Sequence, residues 1–131
     1  YFRVGNVVTV SVHGLDGQPF IHSTRKNRGV QSGPIGFNGG EVNNIHVPSR
    51  GPVVVDDPSM KRRIDVMKAG SEATVVWNPG EAGGAGMKDV GAHWNEFVCV
   101  EAATCADARI TLLPGTSHTT RQVSGLAQSA P

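Results

Sequence analysis

The sequence predicts an all-β protein, an antiparallel β-sandwich. Short apolar runs alternate with period two, they recur about every ten residues, and Gly, Pro, Asn and Asp cluster between them. No stretch carries the 3.6-residue period of a long amphipathic helix. The 17 glycines and few aromatics suit short strands joined by tight turns.

Taken in order, residues 6–12 alternate as a strand, with Val8, Val10 and Val12 on one face. Gly14 and Asp16-Gly17 supply turns after it. Phe20-Ile21 begins a short edge strand. Residues 23–38 are polar and basic, with Gly29, Gly33 and Gly36, and read as one long loop. Gly39-Gly40 then leads into a strand over residues 41–47. Pro48 to Pro52 is a turn region. Val53-Val54-Val55, Asp56-Asp57-Pro58-Ser59 and residues 63–68 read as strand, turn and returning strand. Gly70-Ser71 turns into Thr74-Val75-Val76-Trp77, which Asn78-Pro79-Gly80 ends because Pro79 has no N–H for a ladder. Residues 81–90 are Gly/Ala-rich, irregular or one weak helical turn.

The central strand is expected at Trp94-Asn95-Glu96-Phe97-Val98-Cys99-Val100-Glu101-Ala102-Ala103. Phe97, Cys99 and Glu101 point to one side of it, and Val98, Val100 and Ala102 to the other. Both sides are apolar except at Glu101, so the strand is expected to be covered on two faces. Glu101 is then either a strand-end carboxylate turned to solvent or a carboxylate at work in a cavity. Residues 109–113 are a further strand candidate, closed by Pro114-Gly115, and residues 119–123 the last. Residues 1–124 read as one domain and 125–131 as a disordered tail.

A formal net charge of +1 gives no electrostatic case for nucleic acid or an anionic membrane. Lys61-Arg62-Arg63 reads as a solvated hairpin rim. No apolar run approaches membrane-spanning length, so no membrane insertion is expected. Cys99 and Cys105, six residues apart with a strand between, make a poor disulfide candidate, and neither has a partner at metal-ligand spacing. A reducing compartment fits better than secretion. No metal or cofactor is expected. No G-x-S-x-G elbow, phosphate-binding P-loop or H-E-x-x-H helix occurs.

Val98-Cys99-Val100-Glu101-Ala102-Ala103 resembles the last motif of the hexose-6-phosphate mutarotases, a branch of the aldose 1-epimerase-like β-sandwich proteins. Other stretches fit in the same order: Tyr1-Phe2-Arg3-Val4-Gly5-Asn6, Val10-Ser11-Val12-His13-Gly14-Leu15, Gly40-Glu41-Val42, Asp57-Pro58, Val75-Val76-Trp77-Asn78-Pro79 and Leu113-Pro114-Gly115-Thr116-Ser117-His118. The resemblance runs to about Val123. It implies part of a galactose-mutarotase-like supersandwich, with residues 1–124 as the C-terminal half of that domain. The chain is expected to begin inside a longer protein, because Tyr1 falls within a motif.

The activity that the resemblance implies is interconversion of the α and β anomers of a hexose 6-phosphate, with Glu101 as general base. Such a reaction needs one group to take the C1 hydroxyl proton and another to protonate the ring oxygen. The family's acid is a histidine just before the motif matched at Tyr1-Phe2. None of His13, His22, His46, His93 and His118 stands at a matching position, and each reads as a surface or strand-end residue. The family's phosphate-binding arginines also fall outside this chain, and Arg25, Lys26 and Arg28 have no such match. Asn43 and Asn44 stand where the family has an aspartate and an arginine. Asn43 can still bond sugar hydroxyls but brings no charge to orient a histidine. Trp77 either walls the pocket or packs in the core.

The expected partners are a phosphorylated hexose, with the missing N-terminal half or other protein chains covering the open edges of the sheets. Two alternatives remain, a catalytically inactive structural or interaction subunit and a carbohydrate-binding module. Family members point to the cytoplasm, with the chloroplast as the alternative.

Overall fold

The computed structural model describes residues 1–127. Eleven strands form two sheets, and every adjoining pair of strands is antiparallel. The strands are β1 (Phe2–Arg3), β2 (Ser11–His13), β3 (Pro19–His22), β4 (Arg28–Val30), β5 (Ile35–Gly36), β6 (Val42–His46), β7 (Val53–Asp57), β8 (Arg62–Ala69), β9 (Ala73–Asn78), β10 (Phe97–Ala103) and β11 (Arg121–Leu126). One sheet has the order β1-β10-β9-β6-β3-β4, the other β11-β8-β7-β2-β5. Among the described residues one short α-helix, α1 (Gly80–Ala85), follows β9, and a 3₁₀ helix at Gly91–Glu96 leads into β10.

The core lies between the sheets and is built largely of valine. Val12, Val53, Val55, Val66, Val76, Val98 and Val100 are all buried, joined by Leu15, Ile35, Phe37 and Ile64. Branching at Cβ suits these residues to a pleated surface, and each fully buried valine contributes about 1.5–3 kcal/mol. The chain thus closes a core between its own two sheets. It leaves apolar side chains outside, among them Met67, Val123, Leu126, Leu112 and Leu113.

Asp57-Pro58 proves to be a structural joint. The buried Asp57 accepts from the Met60 N–H at 3.3 Å, capping the 3₁₀ turn at Pro58–Met60, and pairs with Arg62 Nε at 3.3 Å. Arg62 in turn donates to the carbonyl of Arg3, tying the β7–β8 hairpin to β1.

Several expectations are corrected. Residues 7–9 are a 3₁₀ turn and not strand, because the Asn6 side chain accepts the Val8 N–H at 3.2 Å. That turn brings Val7 and Val10 inward and leaves Val8 exposed. The expected long loop contains β4 and β5, and β4, not β3, is the edge of its sheet. Phe20 crosses from β3 directly over Gly29 of β4, where a Cβ would stand 2.9 Å from its ring. Residues 109–113 form no strand. They find no ladder partner, and Ile110, Leu112 and Leu113 stay exposed. β11 runs through Gly125 and Leu126, which pair with Asp65 and Ile64, so the expected tail begins as strand. Residues 128–131 of that tail lie outside the described residues.

Candidate functional site

Residues that pair directly across a sheet share a face, as do residues i and i+2 along a strand. Cys99 of β10 pairs with Trp77 of β9, and Trp77 with Asn43 of β6. The next row on the same face runs Glu101, Val75, Ile45, Ile21 across β10, β9, β6 and β3. The alternate residues Val76, Val98 and Val100 are at most 2% exposed and face the core. Glu101, Trp77 and Asn43 therefore share the outward face of the six-stranded sheet. Glu101 is exposed, and Trp77 and Asn43 are half-buried.

Trp77 belongs to an aromatic group at one end of this face. Its ring centroid lies 6.0 Å from Tyr1 and 5.7 Å from Phe97, and Tyr1 and Phe97 are 5.1 Å apart. Trp77 is half-buried, and its exposed part lines a groove. The groove, about 410 Å³, is lined by Trp77, Glu41, Pro79 and Met87 among others. Its shape depends on Gly80, at φ +69°, where a Cβ would meet the Gly39 carbonyl oxygen at 2.6 Å. The Asn78-Pro79-Gly80 and Gly39-Gly40-Glu41 segments can approach only because that side chain is missing. Asn78 is the buried anchor of this joint. Its Nδ2 donates to the carbonyls of Trp94 (2.7 Å) and Phe97 (2.9 Å), and its Oδ1 accepts the Gly80 N–H at 2.9 Å.

Beside the groove a polar cluster surrounds Asn43. Its Nδ2 donates to Glu41 Oε1 and to Thr24 Oγ1, both at 3.2 Å, and the Thr24 hydroxyl donates to Glu41 Oε1 at 2.9 Å. Glu41 Oε2 stands 4.0 Å from His22 Nε2. Arg25 covers His22, its Nη2 2.7 Å from the ring Nε2 and 3.3 Å from the Glu41 carbonyl. Glu41 and Thr24 are the functional candidates that motif reading passed over as a site. The signal available in the sequence was the carboxylate of Gly40-Glu41-Val42, two residues before Asn43 and therefore on its face.

Two histidines are not surface residues. His22 and His46 end β3 and β6 as expected of strand-end residues, but both are buried. Burial pushes His46 down to about 4, and neither of its ring nitrogens has a hydrogen-bond partner.

Glu101 was expected to lie on a strand covered on both faces. The described residues leave its carboxylate in solvent and give it no hydrogen-bond or ion-pair partner. Two thiols stand near enough to feel its charge. Burial pushes Cys99 up to about 11, helped by the Glu101 charge, and raises Cys105 for the same two reasons. Both cysteines are free. A further groove, about 550 Å³, surrounds the β8–β9 turn with Arg50, Lys68 and His118, and carries none of the predicted site residues.

The fold is that of the mutarotase-like β-sandwiches. A crystal structure from Salmonella typhimurium, provisionally described as a mutarotase, superposes with a TM-score of 0.69 at 29% identity, covering 76% of this chain and 34% of that one. A structure from Escherichia coli K12, provisionally described as an aldose 1-epimerase, gives a TM-score of 0.65 over 95% of this chain and 46% of its own, and at 16% identity it speaks to fold alone. In sequence, the chain is 30% identical over 117 residues to a Cenchrus ciliaris protein provisionally named glucose-6-phosphate 1-epimerase. That match covers 88% of this chain and 35% of the relative. The chain is a relative of the proteins so named, as its motifs imply, and it spans about a third of the length of the curated relatives it matches. No protein-family model matches it.

Proposed function

We propose that the protein carrying this chain interconverts the α and β anomers of a phosphorylated hexose, with Glu101 as general base. The observation that carries this reading is the shared outward face of Glu101, Trp77 and Asn43, set by the pairing register of β10, β9 and β6. The name borne by the relatives supplies the phosphorylated sugar.

In this mechanism the hexose lies along the face, with an apolar side against Trp77 and hydroxyls toward Asn43 and Glu41. Glu101 takes the C1 hydroxyl proton while a general acid protonates the ring oxygen, and the C1–O5 bond opens. The aldehyde rotates about C1–C2 and closes on its other face, with both protons returned. A partnerless carboxylate suits this role, because its lone pairs are open to the substrate. The acid is a histidine of the family's pattern, outside this chain. His22, though on the adjoining cluster, is buried under Arg25.

A second reading, sugar binding without catalysis, is favoured by Asn43. Its amide is committed to Glu41 and Thr24 and carries no charge with which to orient an acid histidine. The two readings separate by NMR magnetisation transfer on glucose 6-phosphate with the protein that carries this chain. Anomer exchange well above the spontaneous rate supports the enzyme. Ligand line-broadening with background exchange overturns it in favour of binding.

A further inference from the structure

We propose that Gln122, on the opposite sheet, is a positioning residue for Glu101, an inference that rests on the catalytic reading of Glu101. β10 is paired with β9 along one edge from Cys99 to Ala103. On its other edge β1 covers only Phe97 and Val98. Beyond that short strand, the Val100 carbonyl and the Ala102 N–H point where no neighbouring strand lies among the described residues. The side-chain amide of Gln122 fills the gap. Its Nε2 donates to the Val100 oxygen at 3.2 Å, and its Oε1 accepts the Ala102 N–H at 2.7 Å.

An amide that donates to residue i−1 and accepts from residue i+1 reproduces the bonding of an adjacent strand. Here residue i is Glu101. Its carboxylate has no side-chain partner among the described residues, so the direction of its Cα–Cβ bond is set by the backbone alone. Gln122 holds the peptide groups on both sides of that Cα. β11 does not need the contact for its own place in the fold, because it pairs with β8 at six positions from Arg121↔Ala69 to Leu126↔Ile64. The amide also links the two sheets at this point of β10. Displacing a catalytic group by about 1 Å costs roughly 10²-fold in rate.

The test compares wild type with Gln122→Leu in the protein that carries this chain, reading anomer exchange, melting temperature and amide hydrogen exchange together. Expected for Gln122→Leu is a kcat lower by roughly 10–100-fold with KM within about twofold. The Ala102 amide should exchange at least about tenfold faster, because it has lost its acceptor, while the Val76 and Cys99 amides keep their protection. Gln122→Glu keeps the acceptor for Ala102 and should keep that amide protected, which guards against a variant that simply folds poorly. An Ala102 amide equally protected in wild type and Gln122→Leu, or an unchanged kcat, overturns the proposal. If wild type exchanges anomers only at the background rate, the catalytic reading falls by itself, and the anchoring of the Glu101 strand is decided by the Ala102 amide.

Discussion

Asn43 Nδ2 donates a hydrogen bond to Glu41 Oε1 at 3.2 Å, so an amide and a carboxylate act together at the rim of the Trp77 groove. The resemblance implies an aspartate at position 43, and in this chain Asn43 instead bonds the carboxylate of Glu41. Thr24 and Asn43 hold one carboxylate oxygen and leave Oε2 4.0 Å from His22 Nε2. An ionised carboxylate oxygen left without a donor is open to a charge-assisted hydrogen bond.

Glu41→Gln keeps the shape and an acceptor for Thr24 and Asn43 but removes the charge. Charge-assisted hydrogen bonds are roughly twice as strong as neutral ones, so a loss of about 1.4 kcal/mol, or about tenfold in KM, is expected, with kcat within about threefold. Steady-state anomer exchange at varied substrate concentration measures this. An unchanged KM would remove Glu41 from the binding site.

His46 makes stability depend on pH. Its folded pKa is pushed down to about 4 from an ordinary 6.5, so between those values the unfolded chain holds the extra proton. Its contribution is complete above pH 6.5 and is lost as pH falls through that window to about 4, amounting to about 3 kcal/mol. His46→Leu removes two buried, unpartnered ring nitrogens and should be at least as stable at neutral pH. Urea unfolding from pH 7 down to pH 4 should show wild type losing stability relative to this variant. Parallel curves for the two proteins would contradict the account.

Asn78→Asp tests the joint that shapes the groove. Asn78 is 1% exposed and gives both amide hydrogens to the carbonyls of Trp94 and Phe97. A carboxylate there would face two acceptors without a donor, at a cost of about 2–5 kcal/mol. Denaturant melts measure that cost, and a loss below about 1 kcal/mol would show that the entry to β10 is held by other contacts.

Much of this architecture is legible from period and punctuation. The alternation over residues 97–102 puts Val98 and Val100 in the core and Glu101 outside, and Pro79 ends β9 one residue after Asn78. What the sequence hides is pairing. Arg28-Gly29-Val30 becomes a strand because Phe20 packs over Gly29, whereas the well-alternating residues 109–113 meet no neighbour and stay irregular. Motifs single out Glu101, Trp77 and Asn43, and the pairing register puts the three on one face. Thr24 and Glu41 emerge only from side-chain geometry, since the loop carrying Thr24 has no periodic signal to place it against β6.

The central claim is that Glu101 is the base, and one comparison tests it most directly. Anomer exchange of glucose 6-phosphate is followed by NMR magnetisation transfer with the wild-type protein that carries this chain and with its Glu101→Gln variant. The amide keeps the shape of the side chain on an exposed strand position, so the melting temperature should hold while the rate falls about 10²–10⁴-fold. Equal rates for the two proteins, both above the spontaneous background, would contradict the account.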